Sequence, residues 1–249
     1  QNEKMASIGQ LAAGVAHEIN NPIGFVSSNL RTLSGYVDQL LARIHANHGP
    51  RLDEELQYVV DDVPLLVNET RDGLERVRKI VQDLRDFSRV DATERWEQAD
   101  LNAALRSTIN VGLTDFRDKV VVECDLADLP PVTCLLSQIN QVFLNLLVNA
   151  AQASQAGGCV TVRTRVRGSE VEIAVEDQGC GIEPENLNRI FDPFFTTKPV
   201  GQGTGLGLSL AYSIVRKHGG AISVCSEPGH GAIFHVRLPI ARTTQPGSP

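Results

Sequence analysis

From Ile8 onward the apolar positions Leu11, Val15, Ile19, Val26, Leu30, Leu33, Val37, Leu40 and Ile44 follow one another at helical steps of three, four or seven. Such spacing describes one continuous seam on a long helix. His48-Gly49-Pro50 then interrupts it, because proline cannot continue a helix and glycine loosens the backbone. A second seam runs through Leu66, Leu74, Val77, Val81, Leu84 and Phe87. Pro64 is expected to start or kink the helix that carries this seam, since its ring removes a donor and crowds residue 60. Two long helices cannot bury both stripes in one hairpin. The pattern therefore predicts two hairpins paired as a dimeric four-helix bundle.

Past Arg95 the period changes. A short strand near Trp96–Ala99 leads into a helix opening at Asp100, whose carboxylate suits an N-cap. Val120–Asp125 alternates as a strand, and a helix follows from Leu135 to Ala156 with Ile139, Val142, Phe143, Leu146 and Leu147 turned inward. Val160–Val162 and Val171–Val175 read as strands. A Gly-rich irregular stretch fills Gln178–Thr204, then a helix from Leu206 to Lys217 and strands at Ala221–Cys225 and Ile233–Leu238. Strands and helices segregate without repeated βαβ units, which predicts an α/β sandwich on a mixed or antiparallel sheet. The expected fold class is thus α+β. A helical hairpin occupies 1–95, a sandwich domain 96–241, and a polar, Pro/Gly-containing tail 242–249 is expected to be disordered.

The chain has 249 residues, room for two modest domains, and a net charge of -7. An acidic balance argues against a nucleic-acid partner. Its five cysteines form no CxxC pattern, which speaks against structural zinc and for a reducing, cytoplasmic setting. No apolar run is long enough to span a bilayer, so no membrane contact is expected of this segment. Because the helical pattern is present from the first residues, the chain is expected to be the excised part of a longer protein.

The first helix carries candidate chemistry. His17 sits between the seam residues Val15 and Ile19 and lies about 200° from each around the axis, so it faces solvent. Glu18 is beside it, Asn21 lies one turn on, and Pro22 removes the donor that the Glu18 carbonyl would use. A neutral imidazole can attack phosphorus through its free nitrogen, and a neighbouring carboxylate can take the proton from the other. An exposed helical histidine beside a glutamate is unremarkable by itself. The whole run from Met5 to Pro22, MASIGQLAAGVAHEINNP, however resembles the H-box of sensor histidine kinases. That resemblance implies that His17 is the phosphoacceptor, Glu18 its acid/base partner, and Asn21 a residue that orients water for dephosphorylating the partner protein.

The second half has no GxxxxGK[ST] loop, which speaks against a Walker-type ATPase. Asn145 and Asn149 instead share a helix face among Leu144, Leu146, Leu147 and Val148, and amide oxygens there can take part in holding Mg²⁺. Asp177-Gln178-Gly179-Cys180-Gly181 follows an apolar strand. Its carboxylate can accept from an adenine amino group, and its glycines allow the backbone to approach the base. A strand-ending turn is the alternative. Phe191-Asp192-Pro193-Phe194-Phe195-Thr196-Thr197-Lys198 is read as a stretch clasped by phenylalanines with Lys198 free to reach phosphate. Gly201-Gln202-Gly203-Thr204-Gly205-Leu206-Gly207-Leu208 opens a helix, a natural anion site. Cys180 is either a redox-sensitive thiol or an inert one. Arg76, Arg78, Lys79, Arg85 and Arg89 alternate with acids and read as a solvated face with intrahelical pairs.

In this order and spacing the four elements resemble the N, G1, F and G2 boxes of the Bergerat-type (GHKL) ATP-binding domain. The combined resemblance covers nearly the whole chain, leaving out the tail and the segment around Asp53–Val63. It implies ATP and Mg²⁺ as cofactors, with Asn149 on the metal and Asn145 near it. Asp177 would bind adenine, and Gly179, Gly181, Ile182, Phe195, Thr197, Lys198, Gly203, Thr204, Gly205, Leu206, Gly207 and Leu208 would surround the nucleotide. Gln152 stands where many kinases carry a basic residue, so it remains a hydrogen-bonding residue only. Hydrolysing relatives carry a glutamate at the Asn145 position; asparagine cannot act as a base, which favours transfer to a protein nucleophile. The resemblance further implies a homodimer through the hairpin, a response-regulator receiver domain as phosphoryl acceptor, and the cytoplasmic portion of a larger sensor. The alternatives are an ATP hydrolase, a silent nucleotide-binding scaffold, and a protein acting mainly as a phosphatase. Closure over the nucleotide is expected on a hinge near Arg89–Glu97 under a lid from Gln178 to Thr204.

Overall fold

The computed structural model of the chain describes residues 23–24, 26–42, 54–88, 95–116, 118–199 and 203–242. The expectations for His17, Glu18 and Asn21, for the break at His48-Gly49-Pro50 and for the tail beyond 242 lie outside these residues. Two compact units emerge, Gln1–Arg89 and Val90–Pro249.

In the first unit, helix α1 (26–42) and helix α2 (Glu54–Ser88) carry the two seams. Helix α2 begins ten residues before Pro64 and runs through it, so the proline does not start the helix. One lost backbone bond is small against the many other turns of a 35-residue helix. Ile23 packs on Val81 and Leu74, which joins the start of the first helical stretch to the later part of α2 as in an antiparallel hairpin. Among the described residues, several other seam positions face water. Val26 is 46% exposed, Leu33 50%, Leu40 58% and Leu66 52%, and Val26, Leu30, Leu33 and Tyr36 line an apolar groove. A single hairpin leaves this stripe in water, as the pattern requires. On the polar side Arg78 pairs with Glu75 at 2.6 Å, three residues away, in keeping with a solvated face.

The second unit is a mixed five-stranded sheet covered on one face by helices. In chain order it contains β1 (Glu97–Ala99), α3 (Leu101–Gly112), a short 3₁₀ turn (Thr114–Phe116), β2 (Val120–Leu126) and β3 (Val132–Cys134). After these come α4 (Leu136–Ala153), β4 (Gly158–Arg167), β5 (Glu170–Asp177), α5 (Gly207–Lys217), β6 (Ala221–Ser226) and β7 (Ala232–Pro239). Strand order is β2-β4-β5-β7-β6, with β2 parallel to β4 and the other neighbours antiparallel. β1 and β3 form a separate antiparallel pair. Asp100 caps α3, accepting from the Asn102 and Ala103 amides at 2.9 and 3.0 Å.

Alternation sorts the sheet into two faces. Val162, Val175, Phe234 and Val224 share one register row, as do Thr164, Ile173, Val236 and Ile222. The central members of these rows are buried with Ile139, Val142, Phe143, Leu146 and Leu147 of α4 and Leu210 and Ile214 of α5. Each such side chain contributes roughly 2 kcal/mol by leaving water. The opposite face is ionic: Arg163 meets Glu176, Arg165 meets Asp125, and Arg167 and Arg237 both meet Glu172. Helix α4 ends at Ala153 and not at Ala156, because Ser154 turns extended and Gly157 takes a positive φ of 80°. Lys119 Nζ donates to the Ala151 and Gln152 carbonyls at that end, at 2.9 and 3.0 Å. Arg242, the first residue of the expected tail, lies 4.5 Å from the Trp96 ring centroid.

Candidate functional site

One side of α4 is apolar and buried, and the other carries Gln141, Asn145, Asn149 and Gln152 at helical spacing as a half-buried polar stripe. Asn145 Nδ2 donates to the Gly207 carbonyl at 2.9 Å, and its Oδ1 accepts from Gln141 Nε2 at 3.4 Å. The Asn145 amide thus joins α4 to the first residue of α5. Asn149 Oδ1 accepts from Lys198 Nζ at 3.1 Å, and Gln152 Oε1 accepts from the same ammonium. The expectation that Lys198 is free to reach phosphate is therefore corrected: its ammonium is held by two amide oxygens.

Asp177 is the last residue of β5 and continues the buried alternation Val171, Ile173, Val175. That register explains why a carboxylate is only 4% exposed. Burial pushes its carboxyl above the ordinary range, against the Gly179 and Ala232 backbone donors and with the Glu176 charge. Oδ1 accepts from the Gly179 amide at 2.9 Å. Gly179 itself lies against the Ala153 carbonyl, which brings the turn to the end of α4. Gly181 has φ +71°, and a Cβ there would overlap the Glu227 carbonyl. Its clearance is thus taken by the protein's own backbone, where an approach to the base was expected. Cys180 is exposed, with its thiol 3.6 Å from the Gly181 carbonyl.

The stretch after Ile190 is clasped by two of its three phenylalanines. Phe191 stacks on Tyr212 of α5 at 5.5 Å, and Phe195 lies under the Arg189 guanidinium at 4.5 Å. Phe194 differs. It is 53% exposed and has φ +66°, while its amide donates to the Gly205 carbonyl at 3.0 Å. Gly205 matches it with φ +69°, and a Cβ there would overlap the Phe194 backbone. Leu206 is buried and seats α5, whose start has no side-chain cap. Uncapped N–H groups at a helix start are donors for an anion. Gly203, Thr204, Gly207 and Leu208 are half-buried around it, and Thr197 is exposed.

Named contacts therefore join the N, F and G2 elements through Asn145–Gly207, Lys198–Asn149 and Phe194–Gly205, and bring the G1 turn to α4. Two polar residues that sequence reasoning missed support them. Ser226 Oγ donates to the Gly231 carbonyl at 2.6 Å and accepts from the Ile182 amide at 2.9 Å, which fixes the expected nucleotide residue Ile182. His218 Nε2 accepts from the Leu135 amide at 3.0 Å while Nδ1 donates to the Ile214 carbonyl at 2.8 Å, tying α5 to the start of α4. A hydroxyl at a strand end before Pro-Gly, and a histidine before a Gly-Gly pair, were the available signals. The set fits a metal-bound nucleotide on three counts: a buried carboxylate at the G1 turn, an uncapped helix start, and amide oxygens that already accept from a cation.

Residues 135–242 match the family described as histidine kinase-, DNA gyrase B- and HSP90-like ATPase, and residues 7–93 match the His Kinase A (phospho-acceptor) domain. The second match runs through the segment around Asp53–Val63 that the motif resemblance left out. The signal transduction histidine-protein kinase AtoS of Escherichia coli (strain K12) is 37% identical over 244 residues, covering 96% of this chain and 36% of its own length. The chain spans about a third to a half of the length of the curated relatives it matches. Among solved structures, the nucleotide-free catalytic domain of histidine kinase ThkA superposes with a TM-score of 0.55 at 28% identity, over 61% of this chain and 99% of that one. ThkA in complex with the response regulator protein TrrA shares the fold at a TM-score of 0.60 and 23% identity, over 98% of this chain and 65% of that one. Among the described residues no helix is long and apolar enough to cross a membrane.

Proposed function

We propose that this chain, which belongs to the sensor histidine kinases and forms their catalytic core, transfers the γ-phosphoryl group of ATP to His17 and then to an aspartate of a response-regulator receiver domain. The observation that carries the transfer reading is the Asn145 amide. It occupies the position where hydrolysing relatives carry a glutamate, and its Nδ2 donates to the Gly207 carbonyl. A neutral amide engaged as a donor cannot take a proton from water, which favours a nucleophile from the protein over hydrolysis.

In this reading the buried Asp177 accepts from the adenine amino group, and the uncapped start of α5, with Gly203 to Leu208, donates backbone N–H groups to the phosphates. Asn149, with Asn145 beside it, would hold Mg²⁺, which when bound would neutralise charge on the phosphates. The free nitrogen of the neutral His17 imidazole attacks the γ-phosphorus in line. Its bond to the β,γ-bridging oxygen breaks, ADP leaves, and Glu18 takes the proton from the other ring nitrogen. Positioning and charge neutralisation supply most of the rate. Asn21 orients water for removing phosphate from the regulator.

A homodimer through the hairpin covers the exposed stripe of α1 and α2 and is supported by the phospho-acceptor domain match. The five free thiols and the use of ATP suit a cytoplasmic setting. Incubation with γ-labelled ATP and Mg²⁺ tests the reading. Label that is acid-labile, alkali-stable and lost in His17→Ala is expected. Label retained in that variant would remove His17 as the acceptor.

A further inference from the structure

Asn149 and Gln152 stand three residues apart on α4 and turn their side-chain oxygens toward one ammonium. Neither acceptor is charged, and an ammonium is strongly hydrated, so the pairing persists only where the chain brings the lysine there. It does so through a short anchored stretch. Phe191 is stacked on Tyr212, the Phe194 amide is bonded to the Gly205 carbonyl, and the Lys198 amide donates to Thr196 Oγ1 at 3.2 Å. Lys198 thus ends a strap that crosses from α5 to α4.

We infer that Lys198 is a resident cation on the seat formed by Asn149 and Gln152, strapping residues 191–199 onto α4 in the nucleotide-free protein and yielding the Asn149 oxygen of that seat to the divalent ion that arrives with the nucleotide. This rests on the nucleotide-site reading above. The two cations cannot share the seat, because a single and a double positive charge a few ångströms apart repel strongly in a half-buried site. The exchange releases the lysine from α4 only after the metal is bound. It therefore links release of the strap to metal-loaded nucleotide.

Hydrogen exchange of the full chain tests the strap without nucleotide, beside a calorimetric titration with Mg²⁺ and a non-hydrolysable ATP analogue. Lys198→Met and Gln152→Ala should each raise exchange across 191–199 about tenfold, the loss expected for a hydrogen bond to a charged group, and the double variant should go no further. Gln152→Glu, which places a charge under the ammonium, should slow the same amides. Acetylation of Lys198 in the wild-type chain should rise when the metal-bound analogue is added. Unchanged exchange in all the variants would overturn the strap, and analogue binding with unchanged acetylation would overturn the exchange of cations. Absence of analogue binding in the wild-type chain would instead remove the nucleotide-site reading and the exchange with it, leaving the strap to be judged on the nucleotide-free amides.

Discussion

Replacing Asp177 by asparagine keeps the side chain's shape and one of its contacts while changing what it offers an adenine. The amide Oδ1 can still accept from the Gly179 N–H, now at 2.9 Å from the carboxylate. What is lost is a charged acceptor for the exocyclic amino group, worth about 1.5–3 kcal/mol. With Oδ1 engaged by Gly179, the Asn NH₂ is left to face the adenine donor, and a buried donor without a partner costs a further ~1–3 kcal/mol. Together these come to about 2.5–6 kcal/mol, and at about 1.4 kcal/mol per tenfold the ATP dissociation constant should rise by roughly a hundredfold or more. Stability should change with pH. Burial raises the Asp177 carboxyl above its ordinary value, with the backbone donors opposing. The folded state therefore holds the proton more tightly than the unfolded chain does. The ionised group is a cost above its folded pKa, relieved as the pH falls through that value. At neutral pH removing that cost opposes the loss of the Ala232 contact, and the variant's stability relative to wild type should fall on acidification. Calorimetric titration with ATP and melting at neutral and acidic pH read both quantities. Wild-type affinity in the variant would refute the adenine contact, and a stability difference that does not change with pH would refute the account of burial.

Two further residues give predictions. Burial pushes the Glu172 carboxyl up, but the Arg237 and Arg167 guanidiniums outweigh it and hold it below the ordinary 4.5. Its stabilisation is present above that pH and lost as pH falls below it, so urea denaturation of Glu172→Gln should show a lower neutral-pH stability and a flatter acid decline than wild type. His218→Phe keeps a ring against Trp96, now 4.9 Å away, but orphans the buried Leu135 amide. The Ile214 carbonyl retains the His218 backbone N–H, so the expected loss is about 1–3 kcal/mol of stability by urea denaturation at constant slope.

Periodicity carried most of the elements because their contacts are local or repeat along one face. The Asp100 cap, the seams of α1 and α2 and the alternation of β4, β5 and β7 are of this kind. Three features were not legible for definite reasons. β3 is three residues long, too short to show a period. The parallel pairing of β2 with β4 joins strands separated by α4, and no local pattern encodes it. Pro64 carries a local helix-breaking signal that the length of α2 overrides. In the site the motif residues were legible because glycines, carboxylates and amides stand at fixed offsets. Their supports were not: Ser226 meets Ile182 across 44 residues, His218 meets Leu135 across 83, and Lys198 meets Asn149 across 49. The tether on Lys198 in particular reverses the expectation of a free ammonium, since residues on α4 decide where the lysine goes.

The Asn145–Gly207 bond bears on how readily a transferase of this design can become a hydrolase. A single Asn145→Glu change would install the base that hydrolysing relatives use, yet it would also put a carboxylate where an N–H now meets the Gly207 carbonyl 2.9 Å away. Two acceptors would then face each other at the start of α5, the element that is to present its amides to phosphate. Gaining a base and keeping the phosphate cradle are thus opposed at one position. On the transfer reading proposed above, a hydrolase built on this frame would need the start of α5 anchored in another way, so the same bond that seats the helix would also favour keeping the phosphoryl group from water.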